Sequence, residues 1–282
     1  DYTIERHYPQ IKSSKTKALD LLNLVMEKQC QLVVDWMRVG FIHGVMNTDN
    51  MTISGETIDY GPCAFMDQYH PKTVFSSIDK LGRYAYSNQP PITKWNLTRF
   101  AECLIPLIDK NEDTAIKIAT DVIDNFQNIY EKKWLNMMRD KLGLFGEDKN
   151  DRKLIDNLLN WMEKNKIDYT NIFCHLMDIK IDNNTYKDKT FLTWFDEWKK
   201  RSQLNNSSKE KQIELMKKNN PIVVPRNHKV EEALTEANNG SLEGMNKLND
   251  ILKNPYSNQE DIAEYQVPAP TTNEKYQTFC GT

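Results

Sequence analysis

The stretch that decides the fold reads Gly40-Phe41-Ile42-His43-Gly44-Val45-Met46-Asn47-Thr48-Asp49-Asn50. Upstream of it, from Thr16 to Val39, apolar residues recur at close to helical spacing, and Gly40 ends that run. We therefore predict one long buried helix that leads into a loop.

Downstream of the loop, the pattern is typical of a short β-hairpin. The segments Met51-Thr52-Ile53-Ser54 and Thr57-Ile58-Asp59-Tyr60 alternate apolar and polar residues on either side of Gly55-Glu56. Helical periodicity then returns in residues 95–108, 114–142, 152–164 and 171–177. We expect a mainly α protein with one short β-hairpin.

Two stretches are poor in apolar residues. Residues 202–210 are polar and indicate a surface loop, after which helices resume. Residues 255–278 contain Pro268 and Pro270 and predict an extended tail. We divide the chain into residues 1–145, which hold the loop and hairpin, and residues 146–282, a helical C-terminal region that ends in the tail.

The charge balance disfavours some classes of partner. The 282 residues carry 37 Lys and Arg against 40 Asp and Glu, a net charge of -3, which gives no basic field to attract nucleic acid. No apolar run approaches the roughly 20 residues that cross a bilayer, and the first residues resemble neither a signal peptide nor a transit sequence. We expect a cytoplasmic protein with no nucleic-acid or membrane partner.

The cysteines and histidines do not form a metal-binding pattern. The five cysteines are scattered without a C-x-x-C pair, at Cys30, Cys63, Cys103, Cys174 and Cys280. Four histidines show no ligand spacing to each other, namely His7, His70, His175 and His228. Neither a disulfide framework nor a structural zinc site is indicated.

Residues 40–62 follow the spacing of kinase-like enzymes. Those enzymes place a His-x-Asp loop before a short hairpin, an Asn five residues after that Asp, and an Asp-x-Gly at the hairpin's far end. His43-Gly44, Asn50 and Asp59-Tyr60-Gly61 match this order. Since amide and carboxylate oxygens suit Mg²⁺ or Mn²⁺, we predict that Asn50 and Asp59 bind the metal that accompanies ATP, and that Asp59 lies at the nucleotide. The expected fold is the large lobe of a protein kinase followed by a helical extension.

One position breaks the pattern. Val45 stands where the catalytic Asp belongs, and a valine accepts no proton. Either the site is inactive, or another group does the work, for which Asp49 is the candidate. Taken singly, each of these residues also fits ordinary turn chemistry; their order and spacing favour a site.

The other half of a kinase site is missing from the sequence. There is no glycine-rich phosphate loop with its strand lysine and helix glutamate. We therefore expect a C-terminal fragment that lacks the small lobe, binds ATP weakly or not at all, and is inactive by itself.

At these residues the sequence resembles the selenoprotein O family. The matching strings are Arg6-His7-Tyr8-Pro9 and residues 40–51, 57–67, 82–90, 95–97, 225–234 and 254–256. The resemblance implies a pseudokinase fold that transfers AMP from ATP to Ser, Thr or Tyr hydroxyls of proteins, with the nucleotide reversed. Carried over by position, Asn50 and Asp59 are the metal ligands and Asp49 is the proton acceptor.

The resemblance also implies a redox role for Cys280, which matches the family's cysteine or selenocysteine near the C-terminus. Cys63 is a conceivable partner, and the alternative that both thiols stay free remains open. For the whole protein, a silent pseudokinase that acts as a binding module and an ordinary phosphoryl transferase are the competing functions.

Three further features have more than one interpretation. The cluster Trp194, Phe195 and Trp198 favours a helix core over a base-stacking platform. Arg83 and the string Arg226-Asn227-His228 could contact a phosphate or a protein substrate, and buried hydrogen bonds between helices explain them equally well.

Overall fold

The computed structural model describes residues 1–177, 184–204, 207–270 and 276–279. Within these residues the α-helices are α1 (Tyr2–His7), α2 (Lys17–Val39), α3 (Gln89–Ile108), α4 (Glu112–Asp124), α5 (Phe126–Lys141), α6 (Asp151–Asn165), α7 (Asn171–Leu176), α8 (Lys189–Ser202), α9 (Lys209–Asn219), α10 (Asn227–Asn238), α11 (Glu243–Leu252) and α12 (Ala263–Gln266). Two strands, β1 (Phe41–Ile42) and β2 (Ala64–Phe65), pair antiparallel with Phe41 opposite Phe65. The prediction of a mainly α protein is confirmed.

Helix α2 forms as its apolar spacing predicts. Its buried residues recur along its whole length, so it packs into the core rather than lying on the surface. Gly40 ends it in the left-handed conformation, with φ 74°, and its N–H bonds to the carbonyls of Trp36 and Met37. A side chain at Gly40 would be strained there and would lie 3.0 Å from the Tyr169 ring.

The predicted hairpin is wrong in its bounds. Met51 and Thr57 form only an isolated antiparallel bridge. Next to it, the Thr52 hydroxyl donates to the Glu56 carbonyl (2.8 Å) and accepts from the Glu56 N–H (3.0 Å), so a side chain replaces the strand partner. The true strands, β1 and β2, lie outside this turn and enclose the whole loop between them.

Other expectations are met with small changes. The periodic run 114–142 is two helices, α4 and α5, which meet at Asn125. The predicted loop at 202–210 separates α8 from α9, although residues 205–206 lie outside the described residues. The tail is interrupted by the short helix α12, whose Tyr265 is buried.

The core has two parts joined by α2. The smaller part packs the first half of α2 against α1, α3 and α4. The larger part packs the second half of α2 against the strands and the helices from α5 onward. It contains residues from both sides of position 145, and the division into domains at that point stays a prediction. No helix among the described residues is long and apolar enough to span a bilayer.

The aromatic cluster on α8 belongs to this core. Trp194 and Trp198 are buried, and their indole N–H groups donate to the carbonyls of Leu154 and Leu142. The preference for a helix core over a base-stacking platform is confirmed.

A buried arginine ties the C-terminal part to β2. Arg226 is 1% exposed, and its Nη1 lies 2.6 Å from the Asp67 carboxylate and 2.7 Å from that of Asp168. Its Nη2 donates to Asp168, to the Asn171 side chain and to the Gln266 carbonyl. Asp67 comes two residues after β2, so this ion cluster holds the end of the strand. The interpretation of Arg226 as a buried hydrogen-bonding residue is confirmed.

We predict that Arg226→Leu lowers the free energy of unfolding by about 3–5 kcal/mol, because it leaves two carboxylates without their cation. Urea denaturation measures the change. The control is Arg152→Leu, since Arg152 forms an exposed pair with Asp156 on one helix, and its loss should cost below about 1 kcal/mol. Equal, small effects of both substitutions would contradict the structural role of Arg226.

Candidate active site

The candidate site is the loop between β1 and β2, and its two ends are fastened together. Beyond the strand pairing, the Met66 N–H donates to the Gly40 carbonyl at 2.8 Å. The fully buried Gln89, at the start of α3, donates to the Phe41 carbonyl and accepts from the His43 N–H, each at 3.1 Å. The loop therefore starts and ends on a fixed base.

Gly44 lets the two sides of the loop come close. Its φ is 85°, and a Cβ atom there would lie 2.6 Å from the Pro62 carbonyl oxygen. Any L-residue with a side chain would be strained in this conformation and would collide with the backbone. The glycine of the His-Gly pair is thus required by the fold.

His43 joins the two sides of the loop from inside. Its side chain is fully buried, its Nε2 lies 2.8 Å from the Ile58 carbonyl, and its Nδ1 accepts from the Val45 N–H at 3.4 Å. Burial lowers the pKa of His43 below its ordinary value of 6.5, against smaller opposite effects of the Ile58 hydrogen bond and the Asp59 charge. These contacts assign the neutral form with the proton on Nε2.

Asn50 is held in a defined orientation. Its Nδ2 donates to the Val45 carbonyl at 2.9 Å, so the side-chain oxygen is the group left to accept or to bind a cation. The bridge between Met51 and Thr57 joins the two sides of this turn. Asn50 directly precedes the bridge and Asp59 follows it by two residues, and their pairing as metal ligands stays a prediction.

The two carboxylates of the site face solvent. Asp59 has φ 55°, a left-handed conformation that Asp tolerates, and its Oδ1 accepts from the Gly61 N–H at 3.3 Å. Asp49 lies in a short 3₁₀ turn, Thr48–Asn50, and its carboxylate has no hydrogen bond or ion pair with any described residue. It is therefore available to an incoming group.

The donor set suits a hard cation. Asp49, Asn50 and Asp59 offer carboxylate and amide oxygens, which Mg²⁺ and Mn²⁺ prefer. Among the residues that the structure describes, no group of three or more His, Cys, Asp or Glu side chains could hold a metal. A metal on this loop would thus need the amide of Asn50 and ligands supplied by the nucleotide or water.

Of the two thiols considered for a redox role, only Cys63 lies within the described residues. Cys63 is partly buried, its Sγ donates to the Tyr60 carbonyl, and burial raises its pKa above the ordinary value of 9.0. Such a thiol is a poor nucleophile at neutral pH. Cys280 lies outside the described residues, and its redox role stays a prediction.

Several residues that support the loop had no role predicted from the sequence. The Tyr84 hydroxyl donates to the Asn47 side chain at 2.6 Å, and the Asn96 amide donates to the Met46 carbonyl at 2.9 Å. Near the end of the chain, the Thr278 hydroxyl donates to the Pro62 carbonyl at 2.6 Å. Tyr84 and Asn96 stand in strings that carried the resemblance, which was the only signal for them.

Known proteins are similar to this chain along its whole length. The sequence profile of the family described as "Protein adenylyltransferase SelO" matches residues 1–253. The chain is 66% identical to "Protein nucleotidyltransferase YdiU" of Pelagibacter ubique (strain HTCC1062), over 100% of this chain and 59% of that protein. Proteins of the same name from Nitrosococcus oceani and Bacillus cereus are 49% and 52% identical, over 100% of this chain and 58% of their own length. The chain thus spans about three fifths of the curated relatives it matches.

We predict that His43 titrates below pH 6.5 and is neutral, with its proton on Nε2, at pH 7. Because its pKa is lowered by folding, its contribution to stability is complete above pH 6.5 and is lost as the pH falls toward the folded pKa. Side-chain NMR of the imidazole nitrogens measures both properties, and the His43→Gln variant assigns the signal. A His43 pKa at or above 6.5, or a proton on Nδ1, would contradict the geometry.

Proposed function

The chain belongs to the family described as protein adenylyltransferase SelO, and from that membership we propose that its full-length protein transfers AMP from ATP to Ser, Thr or Tyr hydroxyls of other proteins. The observation that carries the proposal is the loop between β1 and β2. It exposes Asp49 and Asp59 and orients Asn50, while the position of the usual kinase base is a buried valine, Val45.

Asn50 and Asp59 would hold Mg²⁺ or Mn²⁺, which supplies positive charge to the triphosphate when bound. The side-chain oxygen of Asn50 is left for this role because the amide nitrogen is engaged by Val45. The backbone around both ligands is held by His43, whose bond to Ile58 is next to Asp59. These contacts would position both ligands before the nucleotide arrives, and such positioning is the main protein contribution to this type of transfer.

Asp49 would accept the proton of the attacking hydroxyl. In that step the substrate oxygen forms a bond to the α-phosphorus, the bond from that phosphorus to the β-phosphate bridge oxygen breaks, and pyrophosphate leaves. The proton of the hydroxyl goes to the Asp49 carboxylate. Exposure and the lack of a partner among the described residues suit Asp49 to meet a protein substrate.

A catalytically silent binding module is the second candidate. The observation that favours it is Val45, which is 7% exposed and cannot accept a proton. Ordinary phosphoryl transfer is disfavoured by the same residue, because the base that meets the hydroxyl at the γ-phosphate is absent from its usual position.

The test is to incubate the full-length protein and an acceptor protein with ATP labelled separately in the α- and γ-phosphates. We expect the α-label, and not the γ-label, on protein. Transfer of the γ-label would replace the proposal with phosphoryl transfer, and the absence of both labels would support the silent module.

We predict that Asp59→Ala and Asp49→Ala impair different steps, namely ATP binding and the transfer rate. Asp59→Ala should abolish AMP transfer together with metal-dependent ATP binding, because a metal ligand is lost. Asp49→Ala should lower the transfer rate by about 10²–10⁴ and leave ATP affinity near that of the parent, because only proton acceptance is lost. Calorimetry and the labelling rate measure the two effects.

The matched control is Asp121→Ala, which removes an exposed carboxylate from α4 and should change neither quantity. Equal loss of ATP affinity in the Asp59 and Asp49 variants would show that Asp49 serves the metal and not the proton.

A further inference from the structure

A basic segment lies beside the candidate site. Residues 68–101 contain one acidic residue, Asp79, and five Lys or Arg, although the whole chain carries a net charge of -3. The five are Lys72, Lys80, Arg83, Lys94 and Arg99. The Asp79 carboxylate accepts the N–H groups of Arg83 and Tyr84, each at 2.8 Å, so this acid is engaged in closing a turn. Of the five, Lys94 pairs with Asp124 at 3.3 Å, outside the segment. Lys72, Lys80 and Arg83 form no ion pair among the described residues, so they carry the positive charge that the segment presents.

Within this segment, two arginines stack on an exposed tryptophan. Trp95 is 43% exposed, and the guanidinium carbons of Arg83 and Arg99 lie 4.8 and 5.4 Å from its ring centroid. Arg99 is paired with Glu102 at 2.6 Å. The guanidinium of Arg83 forms no ion pair with any carboxylate in the described part of the chain. Arg83 is thus a cation that the ring orders and that still has its hydrogen-bond donors available.

We call the exposed set Arg83, Trp95, Arg99 and Leu81 the arginine–tryptophan surface. Leu81 is 95% exposed and precedes Arg83 on the same turn. Tryptophan and arginine are enriched at the centres of protein interfaces, and Leu81 adds exposed apolar area beside them.

This surface is fixed to the loop that carries the candidate catalytic residue. Tyr84, next to Arg83, donates its hydroxyl to Asn47, and Asn96, next to Trp95, donates its amide to the Met46 carbonyl. Tyr84 and Asn96 are both buried. Asp49 is two residues after Asn47. The arginine–tryptophan surface is therefore attached to the loop close to Asp49 in the sequence.

We propose that the arginine–tryptophan surface docks an acidic segment of the protein substrate, close to the hydroxyl that is modified. The inference rests on the proposed function and adds to it the class of substrate. Arg83 pairs with a carboxylate through its planar fork of N–H groups, and Trp95 holds that fork in place, which reduces the entropy lost on binding. The surrounding basic residues attract the same acidic segment over a longer range.

The first test is binding, which does not depend on catalysis. A fluorescein-labelled peptide that carries one Ser among Asp and Glu residues is titrated with the 282-residue protein, and fluorescence polarisation is measured. The reference peptide has Asn and Gln in place of the acids. We expect the acidic peptide to bind at least about tenfold more tightly, with an affinity that falls as salt rises.

Variants locate the binding. Arg83→Glu and Trp95→Ala should each weaken binding of the acidic peptide by about tenfold or more. Arg83→Lys keeps the charge but loses the planar fork of N–H groups, so its affinity should lie between those of the parent and Arg83→Glu. Lys200→Glu, the same change of charge at an exposed position of α8, is the control and should match the parent. Circular dichroism confirms that each variant is folded, which is expected because Arg83 and Trp95 are exposed.

Three results would overturn the docking proposal. They are equal binding of the acidic and amide peptides, unchanged binding by folded Arg83→Glu, and tighter binding of an RNA oligonucleotide or an anionic phospholipid vesicle at Arg83.

The second test separates this inference from the proposed function. In the full-length protein, Arg83→Glu should raise KM for the acidic peptide about tenfold or more and leave KM for ATP unchanged. If AMP transfer proceeds but KM is insensitive to Arg83, docking is wrong and the proposed function stands. If the acidic peptide binds through Arg83 but no AMP is transferred, the proposed function fails and the docking surface stands.

Discussion

The buried ion cluster of Arg226 with Asp67 and Asp168 is the constraint on which the site depends. Removing a guanidinium and two carboxylates from water costs several kcal/mol for each ion unless their hydrogen bonds are made. The segments that provide these bonds must therefore assemble together. One of them is the segment directly after β2, which contains Asp67. Asn227 adds a bond to the Phe65 carbonyl at 3.2 Å. The end of the loop is thus set by contacts more than 150 residues away in the chain.

Within the loop, structural and chemical roles fall on different residues. His43, Gly44 and Gln89 face inward and satisfy or accommodate the backbone. Asp49 and Asp59 face outward with few or no partners among the described residues. This division leaves the carboxylate oxygens of Asp49 and Asp59 with lone pairs that can bind a cation or accept a proton. Because other residues hold the backbone of the loop, the carboxylates of Asp49 and Asp59 stay exposed to solvent.

The sequence predicted what depends on local pattern. Apolar spacing identified α2, and Gly40 identified its end, because both effects act over a few residues. The hairpin at 51–60 was wrong because alternation does not reveal that the Thr52 hydroxyl binds both backbone groups of Glu56. The spacing of Asn50 and Asp59 is also local, and the bridge between Met51 and Thr57 lies between them in the chain.

Supports that join distant residues had no sequence signal of their own. Gln89 reaches His43 across 46 residues and Tyr84 reaches Asn47 across 37, and neither residue belongs to a pattern with a known role. The family resemblance marked the strings in which they stand but did not say what they contact. Arg226 illustrates the same limit. The sequence allowed either a phosphate contact or a buried hydrogen bond for this residue, and only its burial in the structure distinguishes the two.

The last described residues connect the candidate site and the proposed docking surface. Thr278 forms a parallel bridge with Ser76, its N–H donates to the Phe75 carbonyl, and its hydroxyl donates to the Pro62 carbonyl. Pro62 follows Asp59 by three residues, and Ser76 leads into the turn that precedes Arg83. One short piece of chain therefore bonds to the turn that carries Asp59 and to the base of the proposed docking surface. Displacing it would break the bonds to both together, because a single residue makes them.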